Sequence, residues 1–170
     1  LQAVSAAWDR HCAGICVSLD VQYVVQRVRV EGVAEEGLEA AARRARYAAL
    51  AAALAPGDIL LTAHHGDDQA ETVLLQMLRG TGVAGLAAMP VQTAFGPGQI
   101  VRPLLGFSRA ALHVFAQKHQ LAWIEDPSNQ ALHLRRSYLR TEILPRLARH
   151  WPAHASMLAR TARHAAEAMR

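Results

Sequence analysis

The sequence predicts an α/β fold, a parallel sheet with flanking helices that runs on into a helical C-terminal segment. Two observations carry the first half of that expectation: strand-like segments at 23–30 and 58–63 alternate with helical periodicities at 2–19, 38–54 and 69–78, and consecutive parallel strands require a crossover helix between them. The third is that residues 135–149 and 153–170 show only helical patterns.

Taken in order, residues 2–19 place Val4, Ala7, Trp8, Cys12, Ile15, Cys16 and Leu19 on one stripe, which predicts an amphipathic helix. Residues 23–30 are valine-rich with polar alternation and predict a strand, and 32–37 predict a loop. Residues 38–54 predict a helix stopped by Pro56-Gly57. The run Ile59-Leu60-Leu61-Thr62-Ala63 predicts a short strand buried on both faces. A helix at 69–78 ends at Arg79-Gly80-Thr81-Gly82; a glycine-punctuated region follows to residue 99, then a short strand at 100–102 and a helix at 108–119. The chain opens on an apolar helix with no strand before it, so the sheet is expected to be incomplete at the N-terminus.

The chain has 170 residues, 52% of them hydrophobic and 19% charged, a globular balance rather than a disordered one. The longest uncharged stretch, 80–101, is broken by glycine and proline and cannot supply the ~20 apolar helical residues of a membrane span. Cys12 and Cys16 are expected to be packed thiols in a reducing, cytoplasmic setting. The net charge of +4 is uneven. Residues 133–170 hold eight arginines against two acids, a net of +6, while the remainder carries −2. A boundary is therefore expected at 132/133, with a basic helical segment after it. An arginine-rich segment suits a phosphate-bearing partner, and a solvated helix face is the bland alternative.

The chemistry-bearing stretch is His64-His65-Gly66-Asp67-Asp68-Gln69-Ala70-Glu71-Thr72, directly after the apolar strand. Ligands of parallel sheets sit beyond the carboxyl ends of strands. Glu71 is four residues from Asp67 and three from Asp68, so the three carboxylates share a helical face and call for a cation. Hard oxygen ligands beside phosphates suit Mg²⁺. The structural alternative is a first turn whose acids answer the helix dipole, with Asp68 and Glu71 as a capping-box-like pair. A zinc site is not expected, for want of further cysteine or histidine at ligand spacing. On 38–54, Glu39, Arg43, Arg46 and Tyr47 fall along one stripe, read either as surface ion pairs or as two arginines aimed at a triphosphate. Asp126-Pro127-Ser128-Asn129 has the composition of a turn, and Arg135, Arg136 and Arg140 follow it.

In this order these stretches resemble the tRNA(Ile)-lysidine synthetase family. The matching residues include Gly37-Leu38-Glu39-Ala40, Ala42-Arg43, Ala45-Arg46-Tyr47, the run from Thr62 to Thr72, Arg79-Gly80-Thr81-Gly82, Gly85-Leu86, Arg102-Pro103-Leu104-Leu105, Trp123-Ile124-Glu125-Asp126-Pro127-Ser128-Asn129, Arg136 to Arg140, and Leu144-Pro145. The resemblance implies an ATP-pyrophosphatase, adenine nucleotide alpha hydrolase-like fold, with 1–132 a partial nucleotide-binding domain. It implies a ligase that uses ATP and Mg²⁺ to adenylate C2 of the wobble cytidine of tRNA(Ile) with a CAU anticodon. L-lysine then displaces AMP to form lysidine. It further implies that Asp67 and Asp68 serve Mg²⁺ and the lysine ammonium, with Glu71 supporting them. His64 and His65 would lie near the nucleotide, Arg43 and Arg46 would stabilise phosphoryl charge, and Arg135, Arg136 and Arg140 would approach the tRNA. No membrane partner is expected, and a homodimer stays open.

Two departures qualify the match. The family's Ser-Gly-Gly-x-Asp-Ser phosphate loop is absent, so an upstream βα unit, on the order of 30 residues or more, is expected to be missing and the chain alone to be inactive. Further C-terminal domains are likewise expected beyond residue 170. Ser137 stands where the family usually has asparagine. The competing readings are a tRNA cytidine thiolation enzyme of the same superfamily, for which Cys12 and Cys16 are a poor match, and a non-catalytic RNA-binding protein.

Overall fold

The computed structural model describes residues 5–126 and 134–169. It divides into two compact units, Leu1–Ala55 and Pro56–Arg170. The boundary expected at 132/133 and the turn at 127–129 lie outside the described residues.

The regular elements described in the first unit are all helices. Helix α1 spans Ser5–Ser18, α2 Val33–Glu36 and α3 Leu38–Ala52. Gly37, at φ 82°, makes the break between α2 and α3 in a conformation that a side chain would resist. The strand expected at 23–30 does not form: Val24, Val25 and Val28 are exposed in irregular chain. Valine favours strands because it packs on a pleated surface beside a neighbour, and no described segment of this unit provides a partner strand. Two contacts hold the segment instead. The Tyr23 hydroxyl donates to Asp9 Oδ1 at 2.6 Å, and Arg44 donates to the carbonyl of Glu31 at 2.8 Å. The bond to Asp9 pushes the Tyr23 hydroxyl up to about 12. The expected apolar stripe of α1 buries no residue, and Cys12 is exposed rather than packed, with Cys16 half-buried; both are free thiols.

The second unit holds the sheet. Strands β1 (Ile59–Leu61), β2 (Gln92–Phe95) and β3 (Gly98–Val101) lie in the order β1-β3-β2. β1 runs parallel to β3, with Leu60 opposite Ile100, and β2 returns antiparallel to β3 through a tight turn at Gly96-Pro97. The α/β class is as expected; the antiparallel β2 is an addition inside the glycine-punctuated region. β1 is not buried on both faces. Among the described residues it pairs on one side only, and Ile59 and Leu61 are 58% and 65% exposed. Gly98 is required by the β1–β3 approach, because a Cβ there would press into the carbonyl oxygen of Asp58. Gly98→Ala is expected to lower stability by about 2 kcal/mol, read as an earlier urea midpoint; an unchanged midpoint would contradict the contact.

Helix α4 (Gly66–Met77) follows β1, and α5 (Val83–Leu86) follows α4. Helix α6 (Arg109–Lys118) starts on Ser108, whose hydroxyl accepts from the Ala111 amide at 3.1 Å. Helices α7 (Arg135–Tyr138) and α8 (Leu144–His150) are joined without a break by a π-helical turn, Leu139–Ile143. Pro145 accounts for the widening: it has no N–H for the carbonyl one turn back, and its ring crowds that carbonyl. Helix α9 (His154–Glu167) packs on α4. Ala70 and Val73 of α4 and Ala162 of α9 are fully buried, and the two alanines allow close approach. Ile100, at the centre of the sheet, with Leu139 and Leu144 completes the core of this unit.

Candidate active site

The first turn of α4 is built by its own motif. His65 is the N-cap. Its backbone N–H donates to Asp68 Oδ2 at 3.0 Å, and its Nδ1 accepts from the Asp68 amide at 3.4 Å. This capping box starts the helix at Gly66, three residues ahead of the expected start. His65 Nδ1 also lies 3.4 Å from Asp68 Oδ2 and 3.8 Å from Asp67 Oδ2. His64 is held differently, with Nδ1 3.0 Å from the Thr62 hydroxyl.

The loop after β3 closes over this turn. The Gly66 amide donates to the carbonyl of Phe107 at 2.8 Å, and a Cβ on Gly66 would lie 3.1 Å from that oxygen. The Arg109 amide donates to Asp67 Oδ2 at 2.7 Å, which ties Asp67 to the start of α6. Arg102 is buried and donates to the carbonyl of Pro90 at 2.7 Å, while the Gln69 amide bonds Met89 in both directions at 2.9 and 3.1 Å. Gln69 and Arg102 therefore hold the adjacent residues Met89 and Pro90, just ahead of β2. Sequence reasoning gave neither a role, although both stand inside matched motifs.

Part of the positive charge that the carboxylates call for is supplied by the protein. Arg140 Nε donates to Glu71 Oε1 at 2.6 Å and its terminal nitrogen to Glu71 Oε2 at 3.0 Å, a two-pronged pair. The same terminal nitrogen reaches Asp68 Oδ1 at 3.3 Å. The Glu71 side chain is 1% exposed and that of Arg140 25%. The bond from Glu71 holds the Arg140 guanidinium further toward its charged form; burial opposes this, and the charges of Glu71, Asp68 and Asp67 add to it. One turn away Arg136 donates to the Thr72 hydroxyl at 3.0 Å, and that hydroxyl donates to the carbonyl of Asp68 at 2.8 Å. Sequence reasoning had turned Arg136 and Arg140 toward RNA; the structure also turns both onto α4. Arg135, beside them in sequence, is exposed.

Asp67, Asp68 and Glu71 against one guanidinium, with histidine counted as neutral, leave a formal charge of −2 at the mouth of β1. Asp67 is the most accessible of the three, with a side chain 34% exposed and one oxygen engaged by the Arg109 amide. Among the described residues no group of three or more histidine, cysteine, aspartate or glutamate side chains could hold a metal ion. The part-exposed Asp67 carboxylate could take a cation shared with a ligand, as Mg²⁺ is usually bound through one or two carboxylates plus phosphates. In the first unit, Arg43 and Arg46 do not pair with Glu39. Both guanidiniums lie over the Tyr47 ring, 4.5 and 5.7 Å from its centroid.

A strand of a parallel pair whose carboxyl end opens onto a helix start places these residues where open α/β proteins bind their ligands. The chain belongs to the PP-loop domain family, an ATP-binding family whose pattern it matches over residues 1–147. Within that family its relatives are tRNA(Ile)-lysidine synthases, as the motifs implied. It is 52% identical over 168 residues to the one from Pseudomonas aeruginosa and 51% identical over 172 residues to the one from Methylococcus capsulatus, in each case over 99% of this chain. The chain spans about 38% of the length of these relatives. The U34-tRNA thiolase NcsA from Methanococcus maripaludis shares the fold, with a TM-score of 0.74 over 96% of this chain and 57% of its own, at 13% identity. No described helix is long and apolar enough to cross a membrane.

Proposed function

We propose that this chain carries the ATP-dependent joining of L-lysine to C2 of the wobble cytidine of tRNA(Ile) with a CAU anticodon. The reaction runs in two displacements. The C2 oxygen attacks the α-phosphate of ATP and releases pyrophosphate; the amine of lysine then attacks C2 and expels AMP. The observation that supports this reading is the residual negative charge beyond β1, on a chain about half identical to proteins of that name along nearly its whole length.

We infer a division of roles among the acidic residues that sequence alone left interchangeable, and the geometry supports it. Asp67, part-exposed and tied only to a backbone amide among its close bonds, is the residue to hold Mg²⁺, which supplies neutralisation of phosphate charge when bound. Asp68 and Glu71, sharing Arg140, keep one net negative charge for the lysine ammonium. His65 caps this turn, and on the same reading its ring lies near the nucleotide. On the same reading His64 lies near the nucleotide, and Arg43 and Arg46 bring charge to the triphosphate. A cytoplasmic setting belongs to the proposal.

The deciding experiment supplies the full-length enzyme with ATP, Mg²⁺, radiolabelled lysine and a tRNA(Ile) transcript. Label is expected to enter the tRNA only when ATP is present. Incorporation from a sulfur donor in place of lysine would instead assign the chain to cytidine thiolation.

A further inference from the structure

We propose that a second groove of the Pro56–Arg170 unit, away from the acidic turn, binds a phosphate-bearing single-stranded RNA segment. It lies between the C-terminal turn of α4 and the helical run that begins at Arg135. Its volume is about 520 Å³ and it is lined by Leu75, Leu78, Leu139 and Ile143 together with Arg79, Arg135 and Tyr138. That volume is within the range of pre-formed ligand sites, roughly 300–1,000 Å³.

Charge and ring chemistry select the occupant. Among the described residues no acidic side chain lines the groove. Arg79 and Arg135 are both exposed, and neither has a carboxylate within ion-pair distance among the described residues. Their neighbours in the same run, Arg136 and Arg140, are held by Thr72, Asp68 and Glu71. Two unneutralised guanidiniums in an otherwise apolar lining suit phosphates flanking an apolar face. Tyr138, 47% exposed in the same lining, offers that face a ring. Single-stranded nucleic acids are bound by this pairing of a cationic track with aromatic stacking. An apolar peptide would leave both guanidiniums unanswered, and a membrane surface would meet a concave wall.

The assignment rests on the RNA-substrate reading above, and its test separates the two. A fluorescein-labelled anticodon stem-loop RNA bearing CAU is titrated with the full-length enzyme by fluorescence anisotropy across a potassium chloride series. Arg79→Ala and Arg135→Ala are each expected to raise Kd and to lower the salt slope by about one unit. Tyr138→Ala is expected to raise Kd on the order of tenfold, and Tyr138→Phe to bind like the parent. Unchanged affinity and slope in the arginine variants, while the parent binds RNA and transfers lysine, would overturn the groove and leave the function standing. A parent that fails to bind the RNA would overturn both. Equal competition by polyglutamate would overturn the choice of RNA, and a parent dimer abolished by Tyr138→Ala would give the groove to a second copy.

Discussion

Asp67→Asn is expected to cut lysine transfer to tRNA by roughly a hundredfold or more, the scale of losing one preorganised electrostatic contact. The substitution separates charge from shape. Asparagine keeps a side-chain oxygen that can accept the Arg109 amide, which Asp67 binds at 2.7 Å, so the junction between α4 and α6 survives. What disappears is one of the two formal negative charges left after Arg140 is counted. The readout is single-turnover incorporation of radiolabelled lysine, beside a thermal melt. A variant with the parent's melting midpoint and the parent's rate would remove Asp67 from the reacting region.

Arg140→Ala acts first on stability. It leaves Glu71, 1% exposed, without its two-pronged partner and takes a contact from Asp68. Removing one member of a buried ion pair strands the other charge, and a loss of about 3 kcal/mol is expected. For a chain of this size that corresponds to a melting midpoint lower by about 9 °C. The double variant Arg140→Met with Glu71→Leu supplies the control. Replacing the whole pair by apolar groups removes the stranded charge and is expected to recover most of the stability, while lysine transfer stays low because Asp68 has lost its neighbours. If the double variant melts no higher than Arg140→Ala, desolvation of Glu71 is not the origin of the loss.

The same pair shows how a site can be half legible. The spacing of Asp67, Asp68 and Glu71 on one face, and their demand for a cation, follow from helical periodicity. That Arg140, 69 residues past Glu71, answers much of the demand does not. A run of arginines in a basic segment reads alike whether each faces RNA or an internal acid. The π-helical turn ahead of Pro145 lies within the run that turns Arg136 and Arg140 onto α4 and leaves Arg135 outside. The capping role of His65 had a visible signal, since a polar residue stood three positions before Asp68, but histidine is not among the usual caps.

Elements with local causes were legible: α3 ending near Pro56-Gly57, α4 after an apolar strand, α6 on its serine cap, and helices in the basic segment. The valines at 23–30 and the apolar run at 59–61 mark the limit. Both have strand composition, and the first is irregular while the second is an exposed edge. Composition and periodicity act over a few residues, so the sequence by itself determined helix ends, the acidic face and the family. Strand pairing, burial and the partner of a charge depend on what lies across a gap in space. Only the tertiary structure decided that β1 is bordered by β3, that Glu71 is neutralised by Arg140, and that Arg79 and Arg135 share a groove.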